Sequence, residues 1–116
     1  MSVKFSLLFI SYILVLLFHF LYAYWAIRKQ KFSLAVGSVQ QPWLILVLLL
    51  VLNGVSLSVF VFPNPIWIQA NIVLHLILTV DEIFRTRRVP ARFPFLLNHI
   101  LFSGILISVL VLDFSN

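Results

Sequence analysis

Apolar residues fill four long stretches of this chain, 3–27, 43–62, 65–84 and 94–112, and polar residues gather between them or recur at helical spacing inside them. Each stretch is close to the ~20 residues that a helix needs to cross a bilayer. The third is the most informative. Its Asn71, His75, Thr79 and Glu82 follow one another at steps of four, four and three, which places them on one face of an α-helix. Polar side chains are costly against lipid, so this stripe is expected to face the interior of a bundle. The pattern predicts an all-α integral membrane protein, a single domain over 1–116 with four transmembrane helices in an antiparallel up-down arrangement. The longer connections, 28–42 and 85–93, are both basic.

Local signals sharpen the boundaries. Pro42 suits the first turn of the second helix, where its missing N–H does no harm. Between the second and third stretches, Pro63 stops one helix, Asn64 can cap the next and Pro65 fits its first position. So short a link makes these two helices antiparallel neighbours. The segment 31–41 is mixed in polarity and contains Gly37, which predicts a loop or short helix lying along the interface. Gly54 with Ser58, and Gly104 with Ser108, are small-xxx-small pairs expected to let helices approach closely. Tyr12, His19 and Tyr22 share roughly one face of the first stretch, while Tyr22, Tyr24 and Trp25 at its end read as an aromatic belt at headgroup level.

Composition reinforces the membrane reading. Of 116 residues, 63% are hydrophobic and only 9% charged, against roughly 25% charged in soluble domains. The first stretch is too long for a signal-peptide core and runs into Arg28, Lys29 and Lys31, so it is expected to remain as a span. With no cysteine in the chain, it cannot by itself hold an iron–sulfur cluster, a covalently attached c-type haem or a dithiol relay.

The net charge of +5 does not point to nucleic acid, because the basic residues sit beside the spans. Arg28, Lys29 and Lys31 follow the first, and Arg85, Arg87, Arg88 and Arg92 follow the third. Their expected partners are anionic lipid headgroups or an acidic surface on another transmembrane subunit. Because cytoplasmic loops collect Lys and Arg, both connections are expected on the cytoplasmic side and both termini on the other. A bacterial inner membrane, a thylakoid-type membrane or an organellar membrane would all suit.

Candidate chemistry rests on three histidines. At ~1.5 Å per residue, His19 lies about 12 Å and His99 about 8 Å inside the same end of the bundle, with Thr79 between those levels and His75 closer to the middle, near Asn53. Two of His19, His75 and His99 could ligate haem b, or the group could border a quinone site. His and carboxylate groups could instead bind a divalent metal, or act as acid and base in a lipid-modifying enzyme, although no HExxH, ExxH or repeated acidic motif is present. A small transporter would use Glu82 and His75 as titrating groups along a path. The simplest expectation is that the histidines hydrogen-bond to neighbouring helices. The chain would then be a small non-catalytic subunit of a larger membrane complex, respiratory or photosynthetic electron-transfer assemblies being the expected setting.

Overall fold

The computed structural model describes residues 3–32, 34 and 40–114, with side chains as far as Leu112. All regular structure among them is helical: α1 (Val3–Arg28), α2 (Pro42–Gly54), a single 3-10 turn (Val55–Leu57), α3 (Ser58–Val61), α4 (Pro65–Arg88), a second 3-10 turn (Pro90–Arg92) and α5 (Phe93–Phe114). Because α2, the 3-10 turn and α3 continue one another, the described residues include four helices long and apolar enough to cross a membrane. Most of the predicted interface segment 31–41 lies outside the described residues.

The ends form as their residues dictate. Asn64 caps α4 by accepting from the N–H groups of Ile66 (2.9 Å) and Trp67 (3.2 Å), and Pro65 occupies the first turn. Pro42 opens α2 in the same way, although Gln41 supplies no side-chain cap. At the end of α1, Gln30 takes a left-handed φ of 52°. The N–H of Lys31 then reaches Ala26 O at 3.1 Å and that of Gln30 reaches Ile27 O at 3.2 Å, the paired bonds of a Schellman turn more often built on glycine.

Neighbouring helices run in opposite directions, as the ring contacts show. Along α1, Tyr12 packs on Phe102 (4.7 Å between centroids), His19 on Phe95 (4.9 Å) and Tyr22 on Phe95 (5.2 Å), so rising numbers on α1 meet falling numbers on α5. Phe5 meets Phe60 while Tyr24 meets Trp43, which gives the same sense for α1 against the second span. This up-down order puts both basic connections at one end of the bundle. There Tyr22 donates to Ala91 O at 2.5 Å, so it ties α1 to the turn before α5. Tyr24 and Trp25 stay largely exposed.

The interior has three layers. At the end opposite the basic connections, Phe5, Tyr12, Leu16, Val59, Phe60, Ile68, Phe102 and Leu106 form one apolar cluster. At the charged end, Ala23, Leu34, Ile45, Leu46 and Phe95 form a second. Between them lie buried His19, Asn53, Ser56, Asn71, His75, Asn98 and His99. Only 22–39% of the most apolar window in each long helix is buried within the bundle, so the majority of each apolar surface faces outward, where acyl chains suit it better than water.

Neither small-residue pair works as expected inside the bundle. A Cβ built on Gly54 or on Gly104 would meet nothing within 4 Å. At Gly54 the cause is the 3-10 turn, which winds about 120° per residue where an α-helix winds about 100°, so Gly54 and Ser58 leave the common stripe. Ser58 instead accepts from Trp67 Nε1 at 2.6 Å and donates to Val55 O at 2.7 Å. Gly104 and Ser108 simply lie on the outward face of α5. Removing the α4 cap with Asn64→Ala should lower stability by about 1 kcal/mol, as followed by thermal unfolding in mild detergent, whereas Gly104→Ala should leave the monomer as stable or raise it by up to about 1 kcal/mol. A loss of stability in Gly104→Ala would mean that the glycine is packed against its own bundle.

Candidate functional site

The middle layer is organised by one hydroxyl. Tyr12 donates its O–H to the backbone carbonyl of Asn53 at 2.6 Å, and its oxygen lies 3.1 Å from His75 Nε2. Ser56 donates to Asn71 Oδ1 at 2.8 Å while its oxygen lies 3.0 Å from the same His75 nitrogen. Since both hydroxyl protons are engaged elsewhere, His75 Nε2 must carry the ring proton and share it between the two oxygens. Three helical segments are thereby stitched at one level: α1 through Tyr12, the second span through Asn53 and Ser56, and α4 through Asn71 and His75. The 3-10 turn is what swings Ser56 inward to take part.

The second centre joins α1 and α5. Asn98 Nδ2 donates to His19 Nδ1 at 3.1 Å, which leaves the ring proton of His19 on Nε2. The His19 and His99 rings meet edge to face at 5.1 Å between centroids, and His99 lies 5.7 Å from His75. The three histidines thus form one continuous cluster, with Phe102 packed against all of them. Several buried atoms in it have no protein partner: His19 Nε2, His75 Nδ1, His99 Nδ1 and Asn53 Oδ1.

The stripe on α4 is placed as follows. Asn71, His75 and Glu82 are buried, and Thr79 is half-buried with its hydroxyl donating to His75 O at 2.7 Å along its own helix. Glu82 does not pair with Arg85, three residues on. It meets Arg92 from the turn before α5, with Nη2 to Oε1 at 2.5 Å and Nε to Oε2 at 3.2 Å, a two-pronged carboxylate–guanidinium pair. Arg92 is 9% exposed and stacks near the rings of Phe95 (5.2 Å) and Phe32 (5.7 Å). It therefore departs from the headgroup role expected from its place in a basic connection. Arg85 instead pairs with Asp81 at 2.8 Å on the surface, while Arg28, Lys29, Lys31, Arg87 and Arg88 are exposed at the same end.

A cavity of about 90 Å³ lies between these two centres and the charged end. His19, His99 and Asn53 line its inner part, and Asp81, Arg85 and the Glu82–Arg92 pair its outer part. Its volume falls well short of the roughly 300 Å³ at which small-molecule sites begin. The histidine pair is not arranged around an open slot in this structure. A porphyrin held by two histidines must lie between their rings, whereas here His19 and His99 touch each other and Phe95 and Phe102 cover the flanks. Among the described residues, no group of three or more His, Asp or Glu could hold a metal ion.

The sequence did not mark Tyr12, Ser56 or Asn98 as the particular partners of the histidines, nor Arg92 as the partner of Glu82. For Arg92 the signal was present but ambiguous, since only the fold of the turn sends it inward while Arg87 and Arg88 point out. Removing one member of the buried ion pair should be severe: Arg92→Leu is expected to lower stability by about 3–5 kcal/mol, because Glu82 is left charged and unpartnered. The double variant Glu82→Leu with Arg92→Leu should recover much of that loss in a chemical or thermal unfolding series. Losses that add independently would show that the two groups are not coupled. The chain as a whole matches no family model, no curated protein and no solved structure.

Proposed function

We propose that this chain is a small integral membrane subunit that performs no reaction of its own and acts by docking to other transmembrane helices. The observation that carries the reading is the outward placement of Gly104 and Ser108. Membrane helices associate through small residues that let backbones approach, and nothing in this bundle occupies the space above Gly104. Ser108 donates to Gly104 O at 2.8 Å, which satisfies its hydroxyl within α5 and leaves the stripe flat.

The interior supports the same reading. The stripe on α4 is engaged with α1, the second span and the turn before α5, so its polar groups hold the bundle together and do not form a substrate site of useful size. An electron-transfer assembly, respiratory or photosynthetic, is a setting in which such a subunit would serve, with lipid and neighbouring subunits as its partners.

In the membrane, the concentration of Arg28, Lys29, Lys31, Arg87 and Arg88 at one end favours that end on the cytoplasmic side, or its equivalent in an organelle, with both termini opposite. These exposed cations would then meet anionic headgroups, each contributing about 1 kcal/mol near a charged surface.

Native electrophoresis after gentle solubilisation tests the proposal. The protein should migrate in an assembly well above its own mass, and Gly104→Ile should release it to the monomer position without unfolding it. Migration of the native chain at 13.4 kDa plus its detergent belt would overturn the subunit reading.

A further inference from the structure

The cavity of about 90 Å³ is lined mostly by apolar side chains, Leu34, Leu49, Leu52, Leu78 and Phe95 among them, together with three residues that each carry a buried polar atom without a protein partner. These are His19, 2% exposed with Nε2 unpaired, Asn53, fully buried with Oδ1 unpaired, and His99, 3% exposed with Nδ1 unpaired. A buried donor or acceptor without a partner is costly, by about 1–3 kcal/mol each. Water entering the space would relieve that cost, since each molecule seeks two to four hydrogen bonds. The cavity has room for more than one water, about 10–15 Å³ of such space being enough to admit one.

The wall is continuous with the surface. Asp81 and Arg85 line the same cavity, and their side chains are 51% and 41% exposed. The titratable groups around it are His19 from α1, Asp81, Glu82 and Arg85 from α4, Arg92 from the turn before α5, and His99 from α5, while α2 contributes Leu49, Leu52 and Asn53. His75 is not on the wall; its Nε2 is held by Tyr12 and Ser56.

We infer that this cavity is a hydrated inlet through which His19 and His99, but not His75, exchange protons with the aqueous phase at the charged end of the bundle. Water enters past the Asp81–Arg85 pair, hydrogen-bonds to Asn53 Oδ1, and passes protons to and from the two rings. Each exchange replaces one ring proton by one water proton and leaves the composition of both unchanged. The Glu82–Arg92 pair lies beside this route as a charge-neutral wall. The inlet ends at the histidine cluster, so it serves proton equilibration of buried groups and not net transport across the bundle. It stands independently of the docking role proposed above.

Deuterium exchange at histidine ring C2, followed by mass spectrometry on the intact protein in lipid nanodiscs, tests this directly because the reaction needs water at the ring. His19 and His99 should exchange severalfold faster than His75, which serves as the internal control. Leu78→Phe, which adds a ring to the cavity wall, should slow His19 and His99 toward the rate of His75. Leu52→Phe provides a second route to the same closure should Leu78→Phe fail to fold. Equal rates at all three histidines, or rates at His19 and His99 that ignore cavity filling in a folded variant, would overturn the inlet.

Discussion

The hydroxyl of Tyr12 sits where α1, the second span and α4 converge, and its bonds to Asn53 O and His75 Nε2 decide how those helices are rotated about their own axes. Between apolar helices in an apolar solvent there is little hydrophobic preference for one rotation over another. The satisfaction of polar groups then becomes the discriminating interaction. Turning α4 by one residue would carry His75 and Asn71 away from Tyr12 and Ser56 and leave at least three buried groups without partners. Individually such contacts average only about 0.6 kcal/mol, yet they act together because Tyr12, Ser56 and Asn71 share one histidine or its neighbours.

Position along the axis is set by a different contact. The Glu82–Arg92 pair fixes the depth at which the α4–α5 hairpin closes, and the Tyr22 bond to Ala91 O fixes α1 against the same turn. Charge in this protein is accordingly used in two ways at one end. Five exposed cations are free to meet a membrane surface or partner, while the one buried cation is part of the architecture. The surface pair Asp81–Arg85 belongs with the former, since a half-exposed i,i+4 pair stabilises its helix only slightly.

The mid-bundle polar layer has a consequence for function. A fully satisfied network would be rigid and dry, but here buried atoms are left without protein partners. His75 lies off the cavity with its Nε2 held by Tyr12 and Ser56, while His19, His99 and Asn53 border it. The same four helices therefore offer a structural seam, a hydrated pocket and, on the far face of α5, a smooth small-residue stripe. Docking through the stripe and hydration of the pocket use different surfaces and do not compete.

Much of this was legible from residue order alone. Long apolar runs admit hardly any solution but helices when their surroundings are apolar, since every backbone N–H and C=O must be paired within the segment. The Pro63–Asn64–Pro65 run set the hairpin between the second and third spans by elementary cap and turn chemistry. The spacing of Asn71, His75, Thr79 and Glu82 marked the inward face of α4, because a 3.6-residue repeat is a local property. What the sequence could not provide was any quantity that depends on two helices at once. Which partner His75 selects, that Glu82 meets Arg92 and not Arg85, and that Gly54 is left unpacked by a 3-10 turn while Gly104 looks outward all depend on relative rotation and depth. Those are settled only when helices distant in sequence come together, because a hydrogen bond or a ring contact is decided over a few ångströms that no spacing rule resolves.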